Sequence, residues 1–190
     1  MSLGVLFFLV ILGAVIFYVI YIYNGLVALK HNVAKAWSNI DVLLKQRHDE
    51  LPKLVDTCKQ YMKYEQETLE KIVKARSAVM SARNSADIET LGMAETSLRA
   101  GLGHLFALAE NYPDLKSDSN FKQLHERISA LENGIADRRE VYNESVNINN
   151  VRIEQFPDVI IARMFNFKSF GLLEFSEEEK ADVSIGKLFG

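Results

Sequence analysis

The chain is poor in the residues from which most functional signatures are built: one cysteine, three prolines and ten glycines in 190 residues. A lone Cys58 excludes an intramolecular disulfide framework and any Cys-x-x-Cys redox or zinc motif. It falls in a helical stripe and reads as a small core residue. Scarce proline and glycine leave little material for a loop-rich fold. Ala28, Lys45, Gly101 and Lys122 stand three positions before His31, His48, His104 and His125. The Glu-x-x-His repeat of a carboxylate-bridged metal bundle is therefore missing. So are His-Glu-x-x-His, a Walker loop and a Gly-x-Ser-x-Gly elbow. No catalytic, cofactor or metal residue is assigned, and the chain reads as a non-enzyme. The 22 bases and 25 acids are interspersed, for a net charge of −3, which argues against a nucleic-acid partner.

What is present begins with residues 3–23, an apolar and aromatic run without a charge. About 21 helical residues reach about 30 Å, the hydrocarbon thickness of a bilayer, and predict a single membrane span. Only Met1 and Ser2 precede the run, and its far end carries bulky Tyr18, Tyr21 and Tyr23. With no basic n-region and no small-x-small cleavage site, a retained signal anchor is expected, its tyrosines at the membrane interface. Lys30 and Lys35 precede the first acid, Asp41. The positive-inside rule then puts the C-terminal domain in the cytoplasm.

Past the anchor, apolar residues recur at steps of three and four. The first stripe runs Leu29, Val33, Ala36, Trp37, Ile40, Leu43 and Leu44, and on through Leu51, Leu54, Val55, Cys58, Met62, Leu69, Ile72 and Val79. It predicts one long amphipathic helix or two in line. Pro52 removes a backbone donor and predicts a kink or short break at 49–51, dividing the helix into two segments. A second stripe uses Ile88, Leu91, Leu98, Leu102, Leu105 and Phe106. Asn84, Ser85 and Asp87 are turn and N-cap residues before it, and Tyr112-Pro113 ends it. The third follows Ser117-Asp118-Ser119 with Phe121, Leu124, Ile128, Leu131, Ile135, Tyr142, Val146 and Ile153, and closes at Phe156-Pro157. Short connections between long helices imply antiparallel neighbours. The expected class is all-α: an N-terminal transmembrane helix (1–25), a long-helix, coiled-coil-like antiparallel bundle (26–157), and an apolar C-terminal segment with an acidic tail (158–190).

Several blocks in this order resemble one family. Tyr23-Asn24 and Leu26-Val27 follow the apolar span. Ala36-Trp37-Ser38-Asn39-Ile40-Asp41-Val42, Leu44-Lys45, Arg47 and Leu51-Pro52-Lys53-Leu54-Val55 come next, with Tyr64-Glu65 where members often carry His-Glu. Glu110-Asn111-Tyr112-Pro113-Asp114-Leu115-Lys116, Phe121, Leu131-Glu132, Ile135, Arg139, Tyr142-Asn143, Ile153 and Phe156-Pro157 complete the pattern. Together they resemble the LemA family of bacterial membrane-anchored proteins. Two departures stand out: Ile148-Asn149-Asn150 replaces a second Tyr-Asn, and Asn166-Phe167 replaces a frequent Gly-Phe. The resemblance implies a four-helical bundle on a membrane stalk at the bacterial cytoplasmic (inner) membrane, in a family whose biochemical activity is not established.

Arg47, Glu65, Glu132, Arg139 and Asn149 fall at or beside positions where the spacing calls for apolar side chains. A buried charge is costly unless paired, so Arg47 and Arg139 are expected to meet acids such as Glu65 or Glu132 and fix helix register. With Trp37, Tyr142 and Asn143 these charges form a candidate structural or partner-facing seam. Val159, Ile160, Ile161, Met164, Phe165, Phe167 and Phe170 make the C-terminal segment unusually apolar. It either caps the bundle or contacts a second copy, a partner or the membrane, and Ile160, Ile161, Met164, Phe165, Phe167 and Phe170 are the candidate interaction residues. Glu177, Glu178 and Glu179 read as a solvated run, and 185–190 as a tail. The sum favours a membrane-anchored scaffold or adaptor whose partners are the lipid bilayer and either further copies or another membrane-associated protein. The alternative is a tethered sensor that binds a ligand in the polar seam.

Overall fold

One helix carries both the apolar run and the first half of the first stripe. In the computed structural model, which describes residues 3–174, α1 (Leu3–Tyr61) passes through Asn24-Gly25 and Pro52 without interruption. Of the kink or short break predicted at 49–51, the break is absent, and the reason is local. Pro52 has no N–H for the carbonyl four residues earlier, that of His48. Arg76 supplies the missing donor from outside the helix, its Nε 3.0 Å from the His48 oxygen. Near Asn24-Gly25 the helix is held by packing: Ile22 and Leu26 bury against Ile161 and Ala162.

Five further helices follow among the described residues: α2 (Gln66–Ser85), α3 (Ile88–Ala109), α4 (Pro113–Ser117), α5 (Ser119–Glu154) and α6 (Asp158–Met164). No strand occurs among the described residues, and the fold is all-α. The acidic run 177–179 and the tail 185–190 lie outside the described residues. The described chain divides into two compact units, residues 39–139 with 172–174 and residues 3–38 with 140–171.

In the first of these units the stripe that suggested helices in line is folded back on itself. The reversal comes at 62–65, where Met62 N donates to Cys58 O and Glu65 N to Met62 O. Residues 63–65 are Lys-Tyr-Glu, with neither glycine nor proline to signal a turn. Asp41 pairs with Arg83 and His48 with Arg76, so α2 runs antiparallel to α1. The fourth bundle segment thus arises from this reversal and not from Pro52. The turn between α2 and α3 is tighter still. Ala86 adopts the left-handed conformation at φ 54°, with Ala86 N bonded to Arg83 O and Asp87 N to Ala82 O. This pattern satisfies the last carbonyls of a helix. Asp87 then starts α3, its carboxylate accepting from Thr90 N at 3.0 Å. One residue thereby closes one helix and opens the next.

Pro113 begins α4 at a position where no backbone donor is needed. Asp118 Oδ1 accepts from the N–H groups of Asn120 and Phe121, and so caps α5. Arg47–Glu132, Glu50–Arg127 and Tyr61–Asp118 step in opposite directions along α1 and α5, which are therefore antiparallel. The core of this unit is aliphatic, with Ile40, Leu51, Leu54, Ile72, Leu91, Leu105 and Ile128 fully enclosed. Each such side chain contributes about 1.5–3 kcal/mol of burial.

The other unit has its own small core. Ile22 and Leu26 of α1 meet Ile161 and Ala162 of α6, with Val19, Ile153 and Phe167 packed at its edge. At the end of α6, Phe167 N reaches Ala162 O and Asn166 N reaches Arg163 O, with Asn166 left-handed at φ 57°. Asparagine is among the few residues other than glycine that adopt this positive φ readily.

Candidate functional site

The charges that stand at apolar stripe positions fold inward. Arg47 is 1% exposed and donates from Nη1 to Glu132 Oε1 at 2.6 Å and from Nη2 to Glu95 Oε1. Arg99 Nε lies 3.4 Å from the second Glu132 oxygen. Three helices, α1, α3 and α5, therefore contribute to one ion network. Burial alone would lower the Arg47 pKa, but Glu95 and Glu132 outweigh it and hold the guanidinium charged. Burial dominates at fully enclosed Glu95 and pushes its carboxyl above the usual carboxylate range, offset only in part by Arg47. In chemical terms the cluster can fix the register of three helices, because a one-residue slip would strand a buried charge.

The predicted seam is distributed over several separate sets of contacts. Arg47 and Glu132 meet in the network. Trp37 and Tyr142 meet with their rings tilted by 59°, centroids 5.6 Å apart, and the Tyr142 hydroxyl donates to Gly171 O at 3.0 Å. Burial pushes the Tyr142 phenol up. Glu65 stands at the start of α2 and accepts from the Tyr112 hydroxyl at 3.3 Å. Arg139 and Asn143 are half-buried on α5, on either side of Tyr142 in sequence. Asn149 is buried and donates to Asn150 Oδ1 and the Lys168 carbonyl.

Glu95 was missed by pattern reading. Its signal was a gap: the second stripe passes from Leu91 to Leu98, and the residue at the intervening helical step is Glu95. Asn150 was also missed as a site residue. Its amide forms two bonds to the Phe170 backbone, donating to O at 2.9 Å and accepting from N at 3.0 Å. Gly92 was missed as well, where an added Cβ would collide with the Glu174 carbonyl. Among the described residues no group of three or more His, Cys, Asp or Glu side chains is arranged to hold a metal ion.

The apolar C-terminal segment is two-faced. Ile161 is buried against α1, whereas Ile160, Met164 and Phe165 are 55%, 63% and 50% exposed. Tyr23 meets Phe165 and Phe167 edge-on, at 4.8 and 5.8 Å between centroids. Of the three interface tyrosines, Tyr18 and Tyr21 remain open and Tyr23 is covered in part by this segment. Residues 3–18 are exposed, and α1 is long and apolar enough there to cross a membrane.

The LemA family profile matches residues 36–186. Protein LemA of Metamycoplasma hominis is 29% identical over 188 residues, covering 97% of this chain and 83% of that protein. Magnetosome protein MamQ of Magnetospirillum gryphiswaldense and MamQ 1 of Paramagnetospirillum magneticum are each 32% identical over 80 residues, which is 42% of this chain and 28% of theirs.

Proposed function

The chain belongs to the LemA family, and from that premise we propose that it is a single-pass, membrane-anchored helical scaffold that associates with further copies or recruits another membrane-associated protein. The observation that carries this reading is an inversion of polarity. Arg47, Glu95 and Glu132 spend their charge on one another inside the bundle, while Ile160, Met164 and Phe165 stay exposed outside it. Buried charges paired in this way specify an arrangement of helices, and an exposed apolar face beside a membrane helix suits an interaction surface. The reading assigns no catalytic step to the protein. The anchor belongs in the bacterial cytoplasmic membrane, with the bundle on the cytoplasmic side, on the strength of Lys30 and Lys35 following the span.

Crosslinking of the full-length protein in intact membranes tests the proposal. Wild type should yield discrete higher-order species, and Ile160→Ser/Met164→Ser should reduce them at least fivefold. Monomer alone for both proteins, in membranes and in mild detergent, would overturn it.

A further inference from the structure

Where α6 and the chain after it pack on α1, they leave a recess of about 540 Å³. Its walls combine two kinds of side chain. Lys30, His31 and Lys168 supply cations or donors, and Tyr23, Phe165 and Phe167 supply aromatic surface, with no carboxylate among the lining residues. We propose that this recess is a binding site for the headgroup of an anionic phospholipid. The inference rests on the reading of residues 3–23 as a membrane span and adds a specific lipid contact to it.

Depth along α1 supports the assignment. Lys30 lies seven residues beyond Tyr23, the last residue of the uncharged run, or about 10 Å further along a helix axis. The polar headgroup layer adds about 5–7 Å on each side of the hydrocarbon. A lysine stem spans the difference by reaching back toward the interface. The ammonium of Lys30 is thus placed for a lipid phosphate and not for the acyl chains below it. Lys168 approaches from the other wall, brought there by the left-handed turn at Asn166 and by Asn150, which grips the Phe170 backbone through two hydrogen bonds. Two exposed lysines from distant parts of the sequence therefore face one opening.

The aromatic wall has a matching purpose. Tyr23, Phe165 and Phe167 form an edge-on cluster at the end of the span, and aromatic rings prefer this boundary because one side is apolar and the other wet. Phe165, on the wall of the recess, is half exposed, which is costly in water and favourable against the upper acyl carbons. A soluble anion would gain from the lysines but not from these rings. A phospholipid engages both, its phosphate at the cations and its glycerol and upper chain along the aromatics.

Native mass spectrometry of the full-length protein tests this directly, after equilibration in mild detergent with equal amounts of phosphatidylglycerol and phosphatidylcholine. Wild type should retain phosphatidylglycerol at least fivefold over phosphatidylcholine. Lys30→Gln/Lys168→Gln should fall to within twofold of parity, whereas the control Lys71→Gln/Lys74→Gln on α2 should keep the wild-type ratio. Millimolar glycerol phosphate should leave the retained lipid in place; its displacement would mean a small-anion pocket and overturn the lipid assignment. Equal loss of preference in both double variants would reduce the effect to net charge and also overturn it. Alkaline carbonate extraction of reconstituted vesicles separates the membrane span from the headgroup site. Extraction of wild type would sink the span and the headgroup site together, and firm retention without lipid preference would sink the site alone.

Discussion

Arg76 Nε lies 3.0 Å from the His48 carbonyl oxygen, the acceptor that Pro52 leaves without a donor inside α1. A side chain of α2 thereby completes the hydrogen bonding of α1 at its one internal proline. Arg76→Ala should leave a carbonyl short of a partner and lower stability by about 1–3 kcal/mol. Pro52→Ala restores the intrahelical N–H, so Arg76→Ala should cost less in that background. Urea unfolding of the four proteins forms the cycle, and perfect additivity would refute the compensation.

The same contact has a pH signature. Burial, with the Arg76 charge beside it, holds the His48 pKa below its ordinary 6.5. Protonation therefore favours the unfolded chain. The stability contributed by neutral His48 is present above 6.5 and is lost as pH falls toward the lower folded-state value. His48→Gln should flatten the stability profile just below 6.5, as read by thermal unfolding across that range. An unchanged slope would show that another group carries it.

In the ion network, Arg47→Met strands Glu95 among apolar neighbours. A loss of about 3–5 kcal/mol is expected for breaking a buried pair from one side. Arg47→Met/Glu95→Met removes both charges and leaves Glu132 with Arg99, and should recover at least half of that loss. Chemical denaturation of the single and double variants checks both outcomes.

Ala86 is a non-glycine residue held left-handed to let α2 stop and α3 begin. Ala86→Gly should stabilise by about 0.5–1 kcal/mol, and Ala86→Val should destabilise by more than that. Melting temperatures of the two variants should move in opposite directions.

Cys58 is enclosed, and burial pushes its thiol up to about 12. It should not react with maleimides at neutral pH, because the thiolate is the nucleophile. Ser77→Cys, on an exposed position of α2, then becomes a clean reporter of sidedness. With the bundle in the cytoplasm, an impermeant maleimide should label it only after cells are opened. Labelling of intact cells would reverse the orientation.

Spacing made the helices legible, because three-four periodicity reports a buried face wherever that face is continuous. It could not reveal that α1 and α2 fold back on one another, since 62–65 keeps helical composition and only tertiary burial selects the reversal. Pro52 does not break α1 for a related reason: the rule that proline ends a helix assumes that no outside donor arrives, and Arg76 is one. Arg47 and Glu132 were visible as charges in apolar positions. Glu95 was hidden because a missing apolar residue is a weaker signal than a misplaced charge. The two-bond hold of Asn150 on Phe170 was illegible, because it joins a helix to irregular chain that has no periodicity to read.

The shared residue Asp87 bears on the order in which the protein assembles. A helical hairpin whose stop and start are adjacent makes only short-range contacts and closes early. Arg47 must wait for Glu132, 85 residues later in the chain. During synthesis, then, the α2–α3 hairpin forms while the charge on α1 still lacks its partner from α5. The emergence of α5 is the event that completes the bundle, and truncations ending before residue 119 should accumulate as chaperone-bound or degraded chains.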